Sequence, residues 1–225
     1  MMRPAEAASN YWNSHWVVEE FVNSKTPEYW QEYFSSIHNS SRLKVLDLGC
    51  GGGRNSRMLA ERGFDFEACD LHLEMINATK KVLLPFFSVD ELENIVIQAN
   101  MLQLPYSNNT FDYVISNGIY HNTSSVSEFE QAIVETGRIL KPFGRLCMNV
   151  FTNDYLESNL KKQSSSNLYI TPDGLDMILL SKDHIINILK VHGFFPDKSF
   201  EIKAYNTMIN IGTRSVFRGV FIKNT

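Results

Sequence analysis

Apolar positions along the chain fall into short runs separated by stretches of helical spacing. Val45, Leu46 and Leu48 form a β-prone run long enough for a strand buried on both faces. Phe66 to Cys69, Ile95 to Gln98, Phe111 to Ser116 and Leu146 to Phe151 repeat that signature. Between the runs lie Ser56–Arg62 closed by Gly63, Leu73 to Leu84 stopped at Pro85, and Phe129, Ala132, Ile133, Thr136 and Ile139 at helical spacing behind a Ser125–Glu128 capping box. Ile185, Ile188, Leu189 and His192 make a further stripe after Ser181, stopped by Gly193. Strands alternating with helices predict an α/β chain with a parallel sheet. Two last strands, Phe200–Tyr205 and Ser215–Ile222, are joined by a Gly212-containing connection and add an antiparallel pairing at its end.

Two segments stand outside that rhythm. Residues 1–8 read as frayed, and 1–41 read as an added helical cap. Ser9 begins a helix that runs through Tyr11, Trp12, His15, Trp16 and Phe21, and Thr26-Pro27-Glu28 starts another that carries Tyr29, Trp30, Tyr33 and Phe34. Residues 152–180, with Ser164-Ser165-Ser166 and Pro172-Asp173-Gly174, have no clear period and read as an insertion of the functional kind.

Composition narrows the picture. A chain of 225 residues with 44% hydrophobic and 20% charged positions is one α/β domain, 1–225, able to bury a large core. A net charge of −4 offers no electrostatic case for nucleic acid. Cys50, Cys69 and Cys147 show no framework spacing, which predicts reduced thiols in a cytoplasmic setting. No run approaches the ~20 apolar residues that span a bilayer, so the expectation is a soluble protein with no membrane partner. No metal-ligand cluster stands out, and the oligomeric state is not encoded in any pattern here.

The candidate chemistry lies at Asp47-Leu48-Gly49-Cys50-Gly51-Gly52-Gly53-Arg54. Glycines at the carboxyl end of a buried strand let backbone approach a ligand closely. Asp70, 21 positions beyond Gly49 and at the tip of the next strand, can accept hydrogen bonds from a ribose diol. A dinucleotide fingerprint would need glycine where Arg54 stands, and a phosphate-binding P-loop would need Gly-Lys-Ser/Thr. The pattern points to another adenosine-containing cofactor.

Here the sequence resembles the class I S-adenosylmethionine-dependent methyltransferases, on its small-molecule branch that includes quinone-biosynthesis enzymes. Val45 to Gly53 resembles that family's first motif, Asp70-Leu71 its acidic ribose motif, and Leu104-Pro105-Tyr106, Phe111 to Ser116 and Arg138 to Gly144 its later landmarks. The resemblance implies a Rossmann-like, doubly wound seven-stranded sheet, mostly parallel with an antiparallel C-terminal strand and helices on both faces. It implies S-adenosyl-L-methionine as cofactor and methyl transfer to N or O of a small-molecule acceptor. An RNA methyltransferase is the alternative within the family, opposed by the acidic balance and by Ser116-Asn117-Gly118-Ile119 after strand four. A non-catalytic module that only binds the cofactor is the alternative outside it.

The resemblance places Asp47, Gly49, Cys50, Gly51, Arg54, Asp70, Leu71, Asn100, Met101, Leu102 and Asn117 around the cofactor. Asp47 orders the glycine loop and faces the ammonium, or is a plain Asx-turn residue. Arg54 meets the methionine carboxylate or simply opens a helix. Asn100, where the family usually has an acid, serves the adenine edge or a turn. Tyr11, Trp16 and Tyr120 are the rings expected against the acceptor, the alternative being plain packing. His121, in the loop after strand four, is the candidate general base or acceptor-orienting residue, the alternative being a loop-stabilising role. Residues 152–180 and the aromatic cap are expected to form the acceptor-side lid.

Overall fold

The computed structural model describes residues 4–163, 167–209 and 212–225. The chain begins with helices α1 (Pro4–Trp12), α2 (His15–Asn23) and α3 (Glu28–Ser35). One helix through Trp12 and Trp16 was expected, and two are found. The break is local: Ser14 is extended and its hydroxyl donates to the Tyr11 carbonyl at 2.6 Å, competing with the helical ladder.

The body follows as β1 (Lys44–Leu48), α4 (Arg54–Glu61), β2 (Asp65–Asp70), α5 (Leu73–Leu83), α6 (Val89–Ile95), β3 (Val96–Gln98), β4 (Phe111–Asn117), α7 (Val126–Ile139) and β5 (Leu140–Thr152). Then come β6 (Lys161–Lys162), β7 (Leu168–Ile170), β8 (Asp176–Ile178), α8 (Lys182–Val191), β9 (Phe194–Pro196), β10 (Lys203–Ile209) and β11 (Gly212–Lys223). The main sheet runs β10-β11-β5-β4-β1-β2-β3, with short β9 pairing on the end of β11. β1 is parallel to both β2 and β4, and β11 is antiparallel to β5. The expected mostly parallel sheet with an antiparallel C-terminal strand is thus present.

Pleating explains the two cores. Leu46 and Leu48 face one side with Val114, Leu146 and Met148, under Phe129 and Ile133 of α7 and Ile185 and Leu189 of α8. Val45 faces the other with Ile115, Cys147 and Val220, under Trp30 and Phe34 of α3 and Leu59 of α4. The chain winds from β1 outward through β2 and β3, then returns to place β4 on β1's other flank. That reversal opens a crevice at the carboxyl ends of β1 and β4.

Two local readings need correction, and one helix, α6, was not anticipated. Helix α6 carries little periodicity but a complete capping box: Ser88 Oγ accepts from Glu91 N, and the Glu91 carboxylate accepts from Ser88 N at 2.8 Å. At the expected Ser125 box only half forms, because the Glu128 carboxylate accepts from Ser124 N instead. Residues 152–180 are not irregular throughout. They contain the antiparallel sheet β6–β7–β8, built over a small core of Tyr169, Met177 and Leu179. Asn153 Nδ2 ties that unit down on the Leu179 carbonyl at 2.9 Å. The expected Ser164–Ser166 loop lies outside the described residues. Among the described residues no helix is long and apolar enough to cross a membrane.

Candidate active site

A cavity of about 1460 Å³ opens at the carboxyl ends of β1, β2, β4 and β5. Its other walls are α1 and α2, the β7–β8 turn and the β10–β11 hairpin. Gly49 sits at φ 75°, and a Cβ there would run into the Ile119 side chain, so the residue must be glycine on both counts. The N–H groups of Gly49 and Cys50 both donate to the Cys69 carbonyl, at 2.8 and 2.9 Å, which folds the loop onto the end of β2.

That fold delivers Gly51 to Asp70. The Gly51 N–H donates to one carboxylate oxygen at 3.0 Å and the His72 N–H to the other at 3.0 Å. Burial pushes the Asp70 carboxyl up, and those two donors oppose the shift. The carboxylate stays on the cavity wall with acceptor capacity left for a diol. Leu71, Asn100, Met101 and Leu102 continue the same wall. Asn100 Oδ1 takes the Leu102 N–H at 2.9 Å, which is the turn role, and the residue also lines the cavity.

Arg54 stands at the first position of α4, on the opposite side of the glycine loop. Thr26 Oγ1 donates to its carbonyl at 2.8 Å, so α3's cap region holds the turn. Burial lowers the guanidinium's pKa, while Tyr29 and Asp47 raise it. Among the described residues no carboxylate lies within ion-pair distance of Arg54. Asn117 also lines the cavity, its Oδ1 accepting from Trp30 Nε1 at 3.4 Å.

Several expected site residues lie elsewhere. Asp47 is fully buried behind the loop, off the cavity wall, and accepts from Ser56 Oγ at 2.6 Å and Asn55 Nδ2 at 3.4 Å. Burial pushes its carboxyl up to about 6 against those donors. It anchors the start of α4 rather than facing an ammonium. The Cys50 thiol is also buried off the cavity, against Thr79 Oγ1, and only the backbone of this residue shapes the loop. Tyr120 is a core residue: its hydroxyl shares a 2.8 Å hydrogen bond with Thr136 Oγ1 and its ring meets Phe129. Tyr120 and His121 share one 3-10 turn, Tyr120–Asn122, and of the two only His121 lines the cavity.

His121 does not fit the role of a general base. Its Nδ1 accepts the Phe151 N–H at 3.2 Å, and the two rings stack at 4.3 Å. Burial, aided by the charge of Arg214, pushes the imidazole down to about 3. A neutral ring whose Nδ1 accepts carries its proton on Nε2 and is a donor. Tyr11 and Trp16 do reach the cavity wall, edge to face at 5.3 Å.

Sequence reasoning missed Asn149, Phe151 and Asp176 on the cavity wall. The first two occupy the carboxyl end of β5, a position the sheet order alone would have flagged. It also missed a buried pair: Arg214 Nη1 meets Glu157 Oε2 at 3.1 Å, and the Thr213 N–H donates to the same oxygen, hooking the segment before β6 onto β11. Nothing in the local pattern marks a pair so far apart in sequence.

Along one wall, then, lie a carboxylate braced by two N–H groups, a bare glycine turn and a cation without an acid. That order suits a ribose diol at one end and an amino-acid carboxylate at the other, so the residues present fit S-adenosylmethionine. Among the described residues no group of three or more His, Cys, Asp or Glu could hold a metal ion.

The model of a methyltransferase domain matches residues 46–148. The ubiquinone/menaquinone biosynthesis C-methyltransferase UbiE of Salmonella newport is 33% identical over 191 residues, covering 78% of this chain and 72% of its own length. A solved SAM-dependent methyltransferase from Methanosarcina mazei superimposes with a TM-score of 0.69 at 16% identity, over 89% of this chain and 99% of that one. The 1,6-didemethyltoxoflavin-N1-methyltransferase of Burkholderia thailandensis, solved with 1,6-didemethyltoxoflavin and S-adenosylhomocysteine, gives 0.59 at 17% identity over 100% and 92%. At such identities the solved structures speak for the fold alone.

Proposed function

The chain belongs to the class I S-adenosylmethionine-dependent methyltransferases, and from that premise we propose that it methylates a small-molecule acceptor bound between the glycine loop and the β6–β8 unit. S-adenosylmethionine supplies a methyl group already activated on a sulfonium. The observation that carries the reading is the Asp70 carboxylate, held on the cavity wall by Gly51 and His72.

In this reading Asp70 accepts the ribose hydroxyls, Gly49 and Gly51 allow close backbone approach, and Arg54 takes the methionine carboxylate. Leu71, Met101 and Leu102 flank the adenine, with Asn100 at its edge and Asn117 beneath the methionine arm. The chain's remaining task is to align the acceptor atom and keep water out. His121 serves it by donating from Nε2 to the acceptor. Tyr11 and Trp16 roof the acceptor, and residues 4–41 with the described part of 152–180 form the cap and lid.

The Salmonella relative is a C-methyltransferase, and a carbon acceptor is the second reading for the atom methylated. An RNA acceptor is disfavoured by the net charge of −4 and by a cavity wall whose one Lys or Arg, among the described residues, is Arg54. Calorimetry with S-adenosylhomocysteine, followed by labelled-methyl transfer to small-molecule and RNA pools, tests the proposal. Cofactor-product binding with label entering the small-molecule pool is expected. No binding, or label only in RNA, would overturn it.

A further inference from the structure

The acceptor half of the cavity has an electrostatic character of its own. With Arg54 and Asp70 on the cofactor wall, the remaining Asp, Glu, Lys and Arg among the described lining residues are Glu20, Glu128, Asp173 and Asp176, all acids. Glu128 is committed to the N–H of Ser124. Asp176, the first residue of β8, is different. It is half-buried on the cavity wall, and among the described residues its carboxylate has neither a hydrogen-bond donor nor a cation. Burial pushes this carboxyl up, and no donor or charge opposes the shift.

A partly desolvated carboxylate without a partner is unfavourable unless something completes it. Backbone and side chains nearby do not, so the carboxylate keeps its accepting capacity for water or for a ligand in the cavity. Tyr11 and Trp16 line the same cavity, aromatic rings of the kind that attract a cation, and Trp16 is exposed. Asp173 also lines the cavity, near enough to Tyr11 for its charge to raise the phenol's pKa, behind the larger effect of burial. His121 adds no positive charge, because its imidazole is held neutral.

We infer that the acceptor is a small amine with a planar or apolar body, and that Asp176 is the residue that binds its nitrogen. The inference rests on the methyltransferase reading above and deepens it. Bound as an ammonium, the nitrogen has no lone pair to offer. Asp176 takes one N–H proton and leaves a neutral amine. The nitrogen lone pair then forms the N–CH₃ bond as the S–CH₃ bond breaks, the bonding pair goes to sulfur, and the sulfonium becomes a neutral thioether. The product leaves as a methylated ammonium, and the proton on Asp176 passes to solvent through the open side of the cavity. A phenolate or quinol anion would meet four acids on that lining, and the Arg214 charge behind His121 is already paired with Glu157.

The test uses the full chain loaded with S-adenosylhomocysteine and three probes of one shape: phenethylamine, 2-phenylethanol and 3-phenylpropionate, titrated by calorimetry. The amine should bind at least about tenfold more tightly than the alcohol, and the carboxylate should not bind. In Asp176→Asn that preference should collapse while affinity for S-adenosylhomocysteine is unchanged, which also shows that the variant is folded. With labelled cofactor, label should enter amines in the wild type and fall at least about tenfold in Asp176→Asn. Equal binding of amine and alcohol, an amine preference that survives Asp176→Asn, or label entering only phenols or ring carbons would overturn the inference and leave the methyltransferase reading intact. Absence of S-adenosylhomocysteine binding would instead overturn that reading.

Discussion

Phe151 donates its backbone N–H to Nδ1 of His121 at 3.2 Å and stacks its ring on the same imidazole. The two contacts fix the tautomer and the ring plane together. A histidine held that way at the end of a parallel sheet presents a fixed donor, not a titrating base.

The pH dependence of turnover should therefore show no inflection from His121 between pH 6 and 9, since its imidazole is already neutral far below that range. His121→Gln keeps a donor and should retain most activity. His121→Phe removes it and should lower kcat by about tenfold or more, the loss of one hydrogen bond of roughly 1–2 kcal/mol. Single-turnover rates across that pH range check both. A wild-type inflection near pH 6.5 that vanishes in His121→Gln would restore the base.

Asp70 makes a prediction of opposite pH sense. The ribose hydroxyls would donate to the ionised carboxylate, and burial raises the carboxyl's pKa in the free protein. Binding of S-adenosylhomocysteine should therefore be strongest at neutral pH and weaken as pH falls through that raised value, because the ligand prefers the deprotonated form. Asp70→Asn should weaken binding by about tenfold or more and flatten the dependence. Calorimetry at pH 7.5, 6.0 and 5.0 distinguishes these outcomes.

What was legible in the sequence follows from periodicity. Strands buried on both faces read as apolar runs, so β1, β2, β4 and β5 stood out, and the Gly49–Asp70 spacing marked two residues that line the cavity. Strands of two or three residues such as β6, β7 and β8 carry no period, and they remained hidden inside an apparent loop. The break at Ser14 depends on one hydroxyl reaching back to Tyr11. Loop residues are harder still. Tyr120 and His121 are neighbours in sequence, yet one serves the core and the other the cavity, and only the fold decides which. Asp176 looked like any polar loop residue until β8 set it on the cavity wall.

Asp47 should make the protein less stable as pH rises from about 4 to about 6. Its carboxyl titrates near 6 in the fold and at about 3.9 in the unfolded chain. The native state thus binds the extra proton across that window, and stability is lost as the pH climbs through it. The difference amounts to about 3 kcal/mol above pH 6. Asp47→Asn keeps the acceptor for Ser56, and the Asn55 amide can turn its unpartnered Oδ1 toward the new N–H₂. Thermal melts should give similar Tm values for both proteins at pH 4 and a higher Tm for the variant at pH 7.5.

Phe143 holds a left-handed backbone, φ 62°, and leaves most of its ring in water. A non-glycine residue there carries roughly 1–2 kcal/mol of strain, while glycine adds about 1 kcal/mol of unfolded-state entropy to lose. Phe143→Gly should therefore be neutral to slightly stabilising, despite deleting a phenyl ring. A drop in Tm of several degrees would mean that the exposed ring makes contacts worth more than the strain.

Gly52 tests the link between cap and cofactor loop. A Cβ on this residue would run into the backbone N of Val22 and the carbonyl carbon of Phe21, the last turn of α2. Backbone cannot rotate aside as a side chain can, so Gly52→Ala must push α2 off the loop or deform the loop itself. Overpacking of this kind costs about 1–3 kcal/mol. The proposed lid role decides where the damage appears. If α1 and α2 close the acceptor cavity, Gly52→Ala should raise hydrogen exchange across residues 9–23 and depress turnover more than it weakens S-adenosylhomocysteine binding. Deletion of residues 1–24 should then reproduce the turnover defect while sparing the Asp70 contacts of Gly51 and His72. Equal losses of binding and turnover in both variants would make the cap a support for the glycine loop and remove it from the acceptor side.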